Sequence, residues 1–304
     1  DGDNWTENSG WKSPPLAADG FALPGTECGW YGVICDGDEI TQLALQSNQL
    51  TGSIPPEFAG LSNLTSLNLS LNQLTGGIPA ELGDLSSLTY LHLGSNPLGG
   101  SIPPEIGNLT NLTSLQLFAN QLSGTIPAEL WDLLDLTYLD LANNALDGTL
   151  PVELVDLAGL TTLDLSGNQL GGGIPTTIAS LSSLTSLDFS GNRFNGSIPS
   201  EIGSLDDLQF LYLGGNQFEG TIPSTIGDLP ALQELTLNSN ALIGPVPSNL
   251  AGLDTLTDEG CDFRWNALYV PEAATGLFMS SKQTGGDWES TQTVAPADLA
   301  ASDV

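Results

Sequence analysis

The residues able to support chemistry are few, and their types predict binding rather than catalysis. The chain contains a single histidine, His92, and three cysteines. Its sequence shows no Cys–His pairing, no metal-ligand spacing and no phosphate-binding loop. A pair of carboxylates could be chosen anywhere among the 36 acidic residues, so such a pair identifies no acid–base site. We therefore predict a protein that is not an enzyme and that needs no cofactor.

Aromatic side chains next to amides and carboxylates form the candidate ligand-binding set. They alternate with leucines in short segments such as Tyr90-Leu-His92, so they should face away from the core. Rigid aromatics beside polar groups are typical of surfaces that bind peptides or sugars. The alternative is that strands favour aromatic residues and that one face has accumulated them. The candidate residues are Tyr90, His92, Gln116, Phe118, Tyr138, Asp140, Phe210 and Tyr212.

Three aspartates, Asp140, Asp164 and Asp188, recur at a fixed spacing along the chain. On neighbouring strands such carboxylates would lie about 4.8 Å apart. Each pair would then repel by about 1 kcal/mol in a water-like medium. One interpretation is a ladder of solvated carboxylates. The other is a cation site formed by the three aspartates, or a seat for a basic ligand.

A 24-residue repeat carries all of these side chains. It reads L-x-x-L-x-L-x-x-N-x-L-x-G-x-I-P-x-x-L-G-x-L-x-x and recurs nine times between Ile40 and Thr255, with a degenerate copy from Cys261. A fixed period of this length predicts a solenoid, in which each repeat buries its leucines against its neighbours. The alternating leucines predict a strand, and the asparagine predicts a turn whose backbone groups bond its amide. The proline predicts the start of a short helical turn.

The segment L-x-G-x-I-P-x-x-L-G-x-L resembles the plant-specific subtype of leucine-rich repeats. That subtype is found in plant receptor-kinase ectodomains, in polygalacturonase-inhibiting proteins and in secreted bacterial proteins. The resemblance implies an α/β repeat solenoid, mostly β with short 3-10 or helical turns. It also implies a right-handed superhelix with a parallel concave sheet and a second short strand around Thr51–Pro55. The ligand is not implied, because function lies in the variable positions.

The amino-terminal segment resembles the cap of this family. Cys28-Gly-Trp-Tyr-Gly-Val-Ile-Cys35 resembles the motif C-x-W-x-G-V-x-C, and the resemblance implies a disulfide between Cys28 and Cys35. Two free thiols are the alternative. Asp3-Asn4-Trp5 and Gly10-Trp11 resemble the upstream part of the same cap.

The carboxyl-terminal segment resembles the end cap of bacterial members. The similarity covers Cys261 to Tyr269 and Ser281 to Trp288, and Cys261 should pack there as a small hydrophobe. From Gln292 onward no apolar periodicity remains. We therefore divide the chain into an N-terminal cap (1–39), nine repeats (40–255), a degenerate repeat with a C-terminal cap (256–285), and a tail or linker (286–304).

The charge balance limits the partners. The chain has 36 acidic and 4 basic residues, a formal charge of −32. Nucleic acid and anionic membrane surfaces are excluded, because binding them requires lysine and arginine. The sequence contains no run of 18 apolar residues, so it predicts no membrane span. Charge repulsion that salt relieves favours a marine or halophilic bacterial source, and the implied disulfide favours a secreted or cell-surface location. We expect a monomer.

The leading functional hypothesis is a non-catalytic recognition module that binds a peptide, a protein or a polysaccharide on its concave face. A structural spacer or adhesin stalk is the alternative. The resemblance also allows a hydrolase inhibitor. A hydroxyl face could bind ice, although Gly77, Gly173 and Pro245 interrupt it and Asp147 and Glu219 add charge. That hydroxyl face comprises Thr51, Ser53, Ser123, Thr125, Ser197 and Thr221.

Overall fold

The computed structural model describes residues 5–9, 25–270, 273–285 and 289–292. The chain divides into two compact units, one ending at Leu146 and the other beginning at Asp147. In both units the repeat folds as a strand, a tight turn, a second short strand and a 3-10 turn. The leucine-rich-repeat solenoid expected from the sequence is therefore confirmed within each unit.

The first unit consists of a main sheet and a row of second strands. Its strands are β1 (Val33–Asp36), β2 (Glu39–Ala44), β3 (Thr51–Ser53), β4 (Ser66–Asn68), β5 (Gln73–Thr75), β6 (Tyr90–His92), β7 (Gly99–Gly100), β8 (Ser114–Gln116), β9 (Gln121–Thr125), β10 (Tyr138–Asp140) and β11 (Ala145–Asp147), whose last residue is the first of the second unit. Its 3-10 turns are Glu27–Gly29, Pro56–Gly60, Ala80–Asp84, Pro104–Asn108 and Ala128–Asp132. The main sheet runs β1-β2-β4-β6-β8-β10, and only the β1–β2 pair among these is antiparallel.

The second unit repeats this plan. Its strands are β12 (Thr162–Asp164), β13 (Gly171–Gly172), β14 (Ser186–Asp188), β15 (Arg193–Gly196), β16 (Phe210–Tyr212), β17 (Gln217–Gly220), β18 (Glu234–Thr236), β19 (Ala241–Pro245), β20 (Cys261–Asp262) and β21 (Ala267–Tyr269). Its helical segments are Val152–Asp156, Thr176–Ser180, Ser200–Ser204, Ser224–Asp228, Ser248–Gly252, Glu289–Thr291 and the α-helix α1 (Ala273–Lys282). The parallel main sheet runs β12-β14-β16-β18-β20.

Buried apolar side chains from successive repeats form the core. In the first unit Leu91 and Leu93 have no exposed surface. Burying one leucine stabilises the fold by about 1.5–3 kcal/mol, so a polar residue at either position would destabilise it. In the second unit three phenylalanines take leucine positions: the ring centroids of Phe189 and Phe194 are 5.0 Å apart, and those of Phe194 and Phe218 are 6.3 Å apart.

The asparagine column satisfies the backbone at the turn after each main strand. Asn96 shows the pattern: its Oδ1 accepts the Leu74 N–H at 3.0 Å. Its Nδ2 donates to the carbonyls of Leu69 and Leu93, each at 3.0 Å. The predicted structural role is confirmed, because one amide joins two neighbouring repeats. The same pattern recurs at Asn72, Asn120, Asn144, Asn192, Asn216, Asn240 and Asn266.

A proline precedes each 3-10 turn of the repeats, as predicted. Pro79, for example, has φ −65° and lies immediately before the turn Ala80–Asp84. Within that turn the glycine of the repeat is required by packing, because a Cβ at Gly83 would collide with the carbonyl oxygen of Glu105 in the next repeat. The turns therefore stack with backbone against backbone.

The amino-terminal cap closes the first repeat through backbone contacts. Cys28 and Cys35 form a disulfide. The Asn48 side chain accepts the Glu7 N–H at 2.6 Å and donates to the Glu7 carbonyl at 2.9 Å. Of the upstream cap residues singled out in the sequence, Trp5 is described, whereas Asp3, Asn4, Gly10 and Trp11 lie outside the described residues.

The carboxyl-terminal cap continues the asparagine pattern with a glutamine. Gln292 accepts the Leu268 N–H at 2.9 Å and donates to the Phe263 carbonyl at 3.1 Å. These are the bonds that the asparagine of a following repeat would make. Cys261 is 1% exposed, as expected for a small hydrophobe, and burial raises the pKa of its thiol to about 12. Trp288 and the tail from residue 293 lie outside the described residues.

Candidate ligand-binding surface

Three neighbouring strands of the first unit bring one group of candidate residues together. In the sheet register Tyr90 pairs with Ser114, and Ser114 pairs with Tyr138. Two residues further on, His92 pairs with Gln116. All of these positions alternate with the buried leucines, so their side chains point away from the core. The first-unit patch, as we name it, comprises Tyr90, His92, Gln116, Phe118 and Tyr138, all half-buried.

Hydrogen bonds and ring contacts hold part of this patch in place. The Tyr90 hydroxyl lies 3.1 Å from His92 Nδ1. Gln116 Nε2 donates to the Tyr90 hydroxyl at 3.5 Å and to the Ser114 hydroxyl at 3.1 Å. The rings of His92 and Phe118 lie 5.4 Å apart between centroids. A ligand would therefore meet an aromatic surface whose members already restrict one another.

Gly94 makes the contact between the histidine and phenylalanine rings possible. A Cβ at this position would lie 2.9 Å from Phe118 Cε1 and 3.1 Å from His92 Nε2, so any larger residue would displace both rings. His92 Nε2 is itself buried and has no hydrogen-bond partner among the described residues. Burial lowers the pKa of His92 below its ordinary value, so the imidazole is neutral at pH 7. Burial also raises the pKa of Tyr90, and the hydrogen bond from Gln116 partly offsets that increase.

The aspartate column has a local structural role. Oδ1 of Asp140 accepts the Ala142 N–H at 3.1 Å. Oδ1 of Asp164 and Oδ1 of Asp188 accept the N–H groups two residues further on, at 2.9 Å and 2.8 Å. Aspartate side chains commonly stabilise turns in this way. The expectation of freely solvated carboxylates is wrong for Asp140, which is only 9% exposed and offers a ligand little surface.

Nothing in the described part of the chain supports the cation hypothesis for Asp140, Asp164 and Asp188. No group of three or more histidine, cysteine, aspartate or glutamate side chains there is arranged to hold a metal ion. The register pairs Asp164 with Asp188 on adjacent strands of the second unit. Both side chains are occupied in part by their own turns, which explains the recurrence of aspartate without a metal.

The second aromatic pair lies on β16 of the second unit. The rings of Phe210 and Tyr212 are stacked, with centroids 6.3 Å apart and planes at 22°. The Tyr212 hydroxyl donates to Glu234 Oε2 at 2.6 Å. Burial, this hydrogen bond and the charges of Glu234 and Asp188 raise the pKa of Tyr212 far above its ordinary value. The phenol therefore keeps its proton and acts as a donor to the carboxylate.

Sequence reasoning did not single out Glu234 or Gly94. Glu234 pairs with Phe210 in the register, so it lies diagonally opposite Tyr212 on the next strand. The 24-residue repeat already aligns Glu234 with Phe210, so the sequence carried a signal for this tyrosine–carboxylate contact. For Gly94 the available signal is weak, because glycine also follows the third leucine of the repeat at Gly214, where no aromatic ring covers it in the same way.

The hydroxyl face differs from the main sheet in its register. Thr51 pairs with Gln73, and Ser53 pairs with Thr75, although Thr75 is the repeat equivalent of Thr51. Equivalent hydroxyls are therefore displaced by two residues, or about 7 Å, along neighbouring strands. The Thr75 hydroxyl also makes a hydrogen bond within the protein, because it donates to the Gly52 carbonyl at 3.1 Å. In β3 and β5 equivalent hydroxyls therefore follow a diagonal, and Ser53 lies opposite Thr75.

Comparison with known proteins agrees with the fold. Two leucine-rich-repeat family models match the chain, one at residues 38–98 and 110–170 and the other at residues 183–205 and 207–229. No curated protein sequence matches the chain. The chain belongs to the leucine-rich-repeat family.

Solved structures of plant proteins are similar to this chain. The plant peptide hormone receptor RGFR1 in complex with RGF2 is 41% identical, with TM-score 0.73, over 74% of this chain and 36% of the receptor chain. The GASSHO1/SCHENGEN3 ectodomain from Arabidopsis thaliana, in complex with CASPARIAN STRIP INTEGRITY FACTOR 2, is 38% identical, with TM-score 0.78, over 88% and 32%. The chain thus spans about a third of the length of these ectodomains.

A plant ice-binding protein is also similar. It is 30% identical, with TM-score 0.67, over 81% of this chain and 88% of the ice-binding protein. In the described residues no helix is both long enough and apolar enough to cross a membrane.

Proposed function

We propose that the protein is an extracellular, non-catalytic recognition module, and that the first-unit patch binds an extended peptide. The observation that carries the proposal is the cluster itself: three adjacent strands present aromatic and amide side chains, and those of Tyr90, His92, Gln116 and Phe118 contact one another. Aromatic side chains provide a large contact area and lose little conformational entropy on binding. The receptor ectodomains with similar structures were solved with peptide or protein ligands, which supports a peptide over a polysaccharide.

The chemistry of the patch defines the peptide. Tyr90, Phe118 and Tyr138 offer ring faces for apolar or aromatic ligand side chains. Gln116 and the hydroxyl of Tyr90 offer a donor and an acceptor that can bond a peptide backbone. His92 is neutral, so the patch carries no positive charge at pH 7. We expect a ligand with apolar anchors and without a strongly acidic sequence, since the whole chain has a formal charge of −32.

The extracellular setting rests on two observations. The Cys28–Cys35 disulfide requires an oxidising compartment to persist. The similar GASSHO1/SCHENGEN3 structure is the ectodomain of a plant membrane receptor kinase. The strongly acidic composition further supports a saline environment, in which salt screens the repulsion between carboxylates.

Selection from a random peptide library tests this function. Phage displaying random 12-residue peptides, a length of about 40 Å when extended, should enrich a defined sequence class on the wild-type protein. A Tyr90→Ala/Tyr138→Ala variant should fail to retain the enriched phage. A Thr125→Ala variant, altered on the hydroxyl face, serves as the matched control and should retain them. Absence of any enriched class would contradict the proposal and would favour the structural spacer.

Ice binding is a second candidate, and one observation favours it: the similarity covers most of a plant ice-binding protein. The hydroxyl face would carry this activity. Its diagonal arrangement in β3 and β5 gives a less regular array than a straight ladder would. An ice-recrystallisation assay separates the two functions. Inhibition of recrystallisation that disappears in a Ser123→Ala/Thr125→Ala variant would support ice binding, whereas an inactive wild-type protein would remove this candidate.

A further inference from the structure

A pocket of about 400 Å³ opens on the main sheet of the second unit. It lies over β14, β16 and β18 and over the turns that follow them. Its lining contains one carboxylate and no lysine, arginine or histidine. This second-unit pocket is lined by Asp188, Ser190, Tyr212, Gly214, Gly215, Thr236 and Asn238.

Backbone and a fixed aromatic ring shape the second-unit pocket. A Cβ at Gly214 would collide with the side chain of Asn238, so glycine keeps this part of the pocket open. On one side Tyr212 is held by its hydrogen bond to Glu234 and by the stacked ring of Phe210. The tyrosine ring is therefore a preformed wall whose hydroxyl is already committed.

The polar side chains that line the pocket offer hydrogen-bond acceptors to a ligand. Oδ1 of Asp188 accepts the Ser190 N–H at 2.8 Å, and a carboxylate has about four acceptor positions, so it can accept further hydrogen bonds. Burial raises the pKa of Asp188, hydrogen bonds from Ser190 partly offset this, and the charge of Asp164 adds to it. A cation would lower that pKa again by stabilising the charged form. The side chains of Thr236 and Asn238 add a hydroxyl and an amide oxygen as further acceptors.

We propose that the second-unit pocket binds the guanidinium group of an arginine side chain in an extended peptide. The planar cation would stack on the ring of Tyr212 and donate to the carboxylate of Asp188. An arginine fits better than a lysine, because it offers several donors in one plane and is more weakly hydrated. No peptide acid can take this place, since the carboxylate of Asp188 would repel it.

This inference goes beyond the proposed function. The second-unit pocket and the first-unit patch belong to different units of the chain, and they use different residues. A peptide can therefore be bound through the aromatic patch whether or not an arginine enters the pocket. Experiments with short arginine peptides address the pocket alone.

Titration with a minimal peptide, followed by NMR on the ¹⁵N-labelled protein, tests the inference. The probe is acetyl-Gly-Gly-Arg-Gly-Gly-amide, and its matched control contains citrulline, which has the same shape without the charge. We expect saturable shifts of the Ser190, Gly214 and Gly215 amides with an affinity in the millimolar range, roughly. The citrulline peptide should bind at least about tenfold more weakly. Equal binding of the two peptides, or a lysine peptide that binds more tightly than arginine, would overturn the inference.

Two isosteric variants locate the binding carboxylate. Asp188→Asn keeps an oxygen for the Ser190 N–H and so preserves the turn, but it removes the charge. Asp164→Asn makes the same change on the adjacent strand, at a residue that does not line the pocket. We expect Asp188→Asn to weaken the arginine peptide at least about tenfold and Asp164→Asn to weaken it less than about twofold. Equal losses would mean a general electrostatic attraction and would refute the pocket.

Discussion

Replacing Asn96 by alanine tests whether single amides hold the repeats together. The change removes the acceptor of the buried Leu74 N–H, which costs about 1–3 kcal/mol when a buried donor stays unsatisfied. It also removes the donors to the carbonyls of Leu69 and Leu93. These carbonyls keep bonds from the neighbouring Asn72 and Asn120, so each loss costs only about 0.5–1.5 kcal/mol.

The expected total for Asn96→Ala is a loss of about 4 kcal/mol in the free energy of unfolding. Urea denaturation followed by circular dichroism measures it, provided that the slope of the transition is unchanged. The control is Asn111→Ala, which removes one exposed hydrogen bond to the Ser86 carbonyl and should cost less than about 1 kcal/mol. If the two variants lose the same stability, the account of the asparagine column is wrong.

A second variant at the same position separates donors from acceptors. Asn96→Asp keeps an oxygen for Leu74 but turns a carboxylate towards two carbonyls at a site only 5% exposed. At pH 7 it should destabilise the protein at least as much as alanine does, because a buried charge lacks a partner. Near pH 4 protonation restores one donor, so stability relative to the wild type should partly recover. A variant that is equally unstable at both pH values would contradict the donor role.

Three further predictions concern charge, the cysteines and the C-terminal cap. Raising NaCl from low to seawater strength should raise the melting temperature, and a flat or falling melting temperature would contradict the effect expected for a charge of −32. Under non-reducing conditions only Cys261 should react with an alkylating agent, because Cys28 is bonded to Cys35. Cys261 should react only after denaturation, because it is buried in the folded protein. Rapid labelling of the native protein would refute this. Burial raises the pKa of Asp262, but hydrogen bonds from Arg264 and its charge outweigh burial and lower the pKa overall. The Asp262–Arg264 pair should therefore stabilise the cap at pH values above the pKa of Asp262 in the unfolded chain. That stability should be lost as the pH falls through the lower pKa of Asp262 in the folded protein. Arg264→Met should therefore flatten the acid branch of a plot of stability against pH.

The repetitive features of the fold could be predicted from the sequence, because each one occurs in nearly every repeat. The leucine strands, the turn asparagines and the proline before each 3-10 turn recur, and their roles follow from periodicity and hydrogen-bond chemistry. Gln292 could not be predicted to act as an asparagine, because it lies outside the period and reaches the last repeat through the C-terminal cap.

The candidate sites could be predicted only in part. Alternation correctly assigns Tyr90, His92 and Gln116 to outward positions on adjacent strands. The contact between His92 and Phe118 depends on ring rotamers and on Gly94, which a repeat pattern does not specify. From the sequence the aspartate column looked like a surface ladder. Each carboxylate instead accepts a hydrogen bond from the backbone N–H two residues later, and the residue type allows this bond but does not require it.

The affinity of a selected peptide for patch variants tests the central claim most directly. The most enriched library peptide is titrated by calorimetry into the wild type, Tyr90→Ala, Tyr138→Ala and Thr125→Ala, after circular dichroism has shown that each variant is folded. Both tyrosine variants should lose about 1 kcal/mol or more of binding free energy, whereas the hydroxyl-face variant should lose less than about 0.3 kcal/mol. Unchanged affinity in both tyrosine variants, together with a loss in Thr125→Ala, would contradict recognition by the first-unit patch.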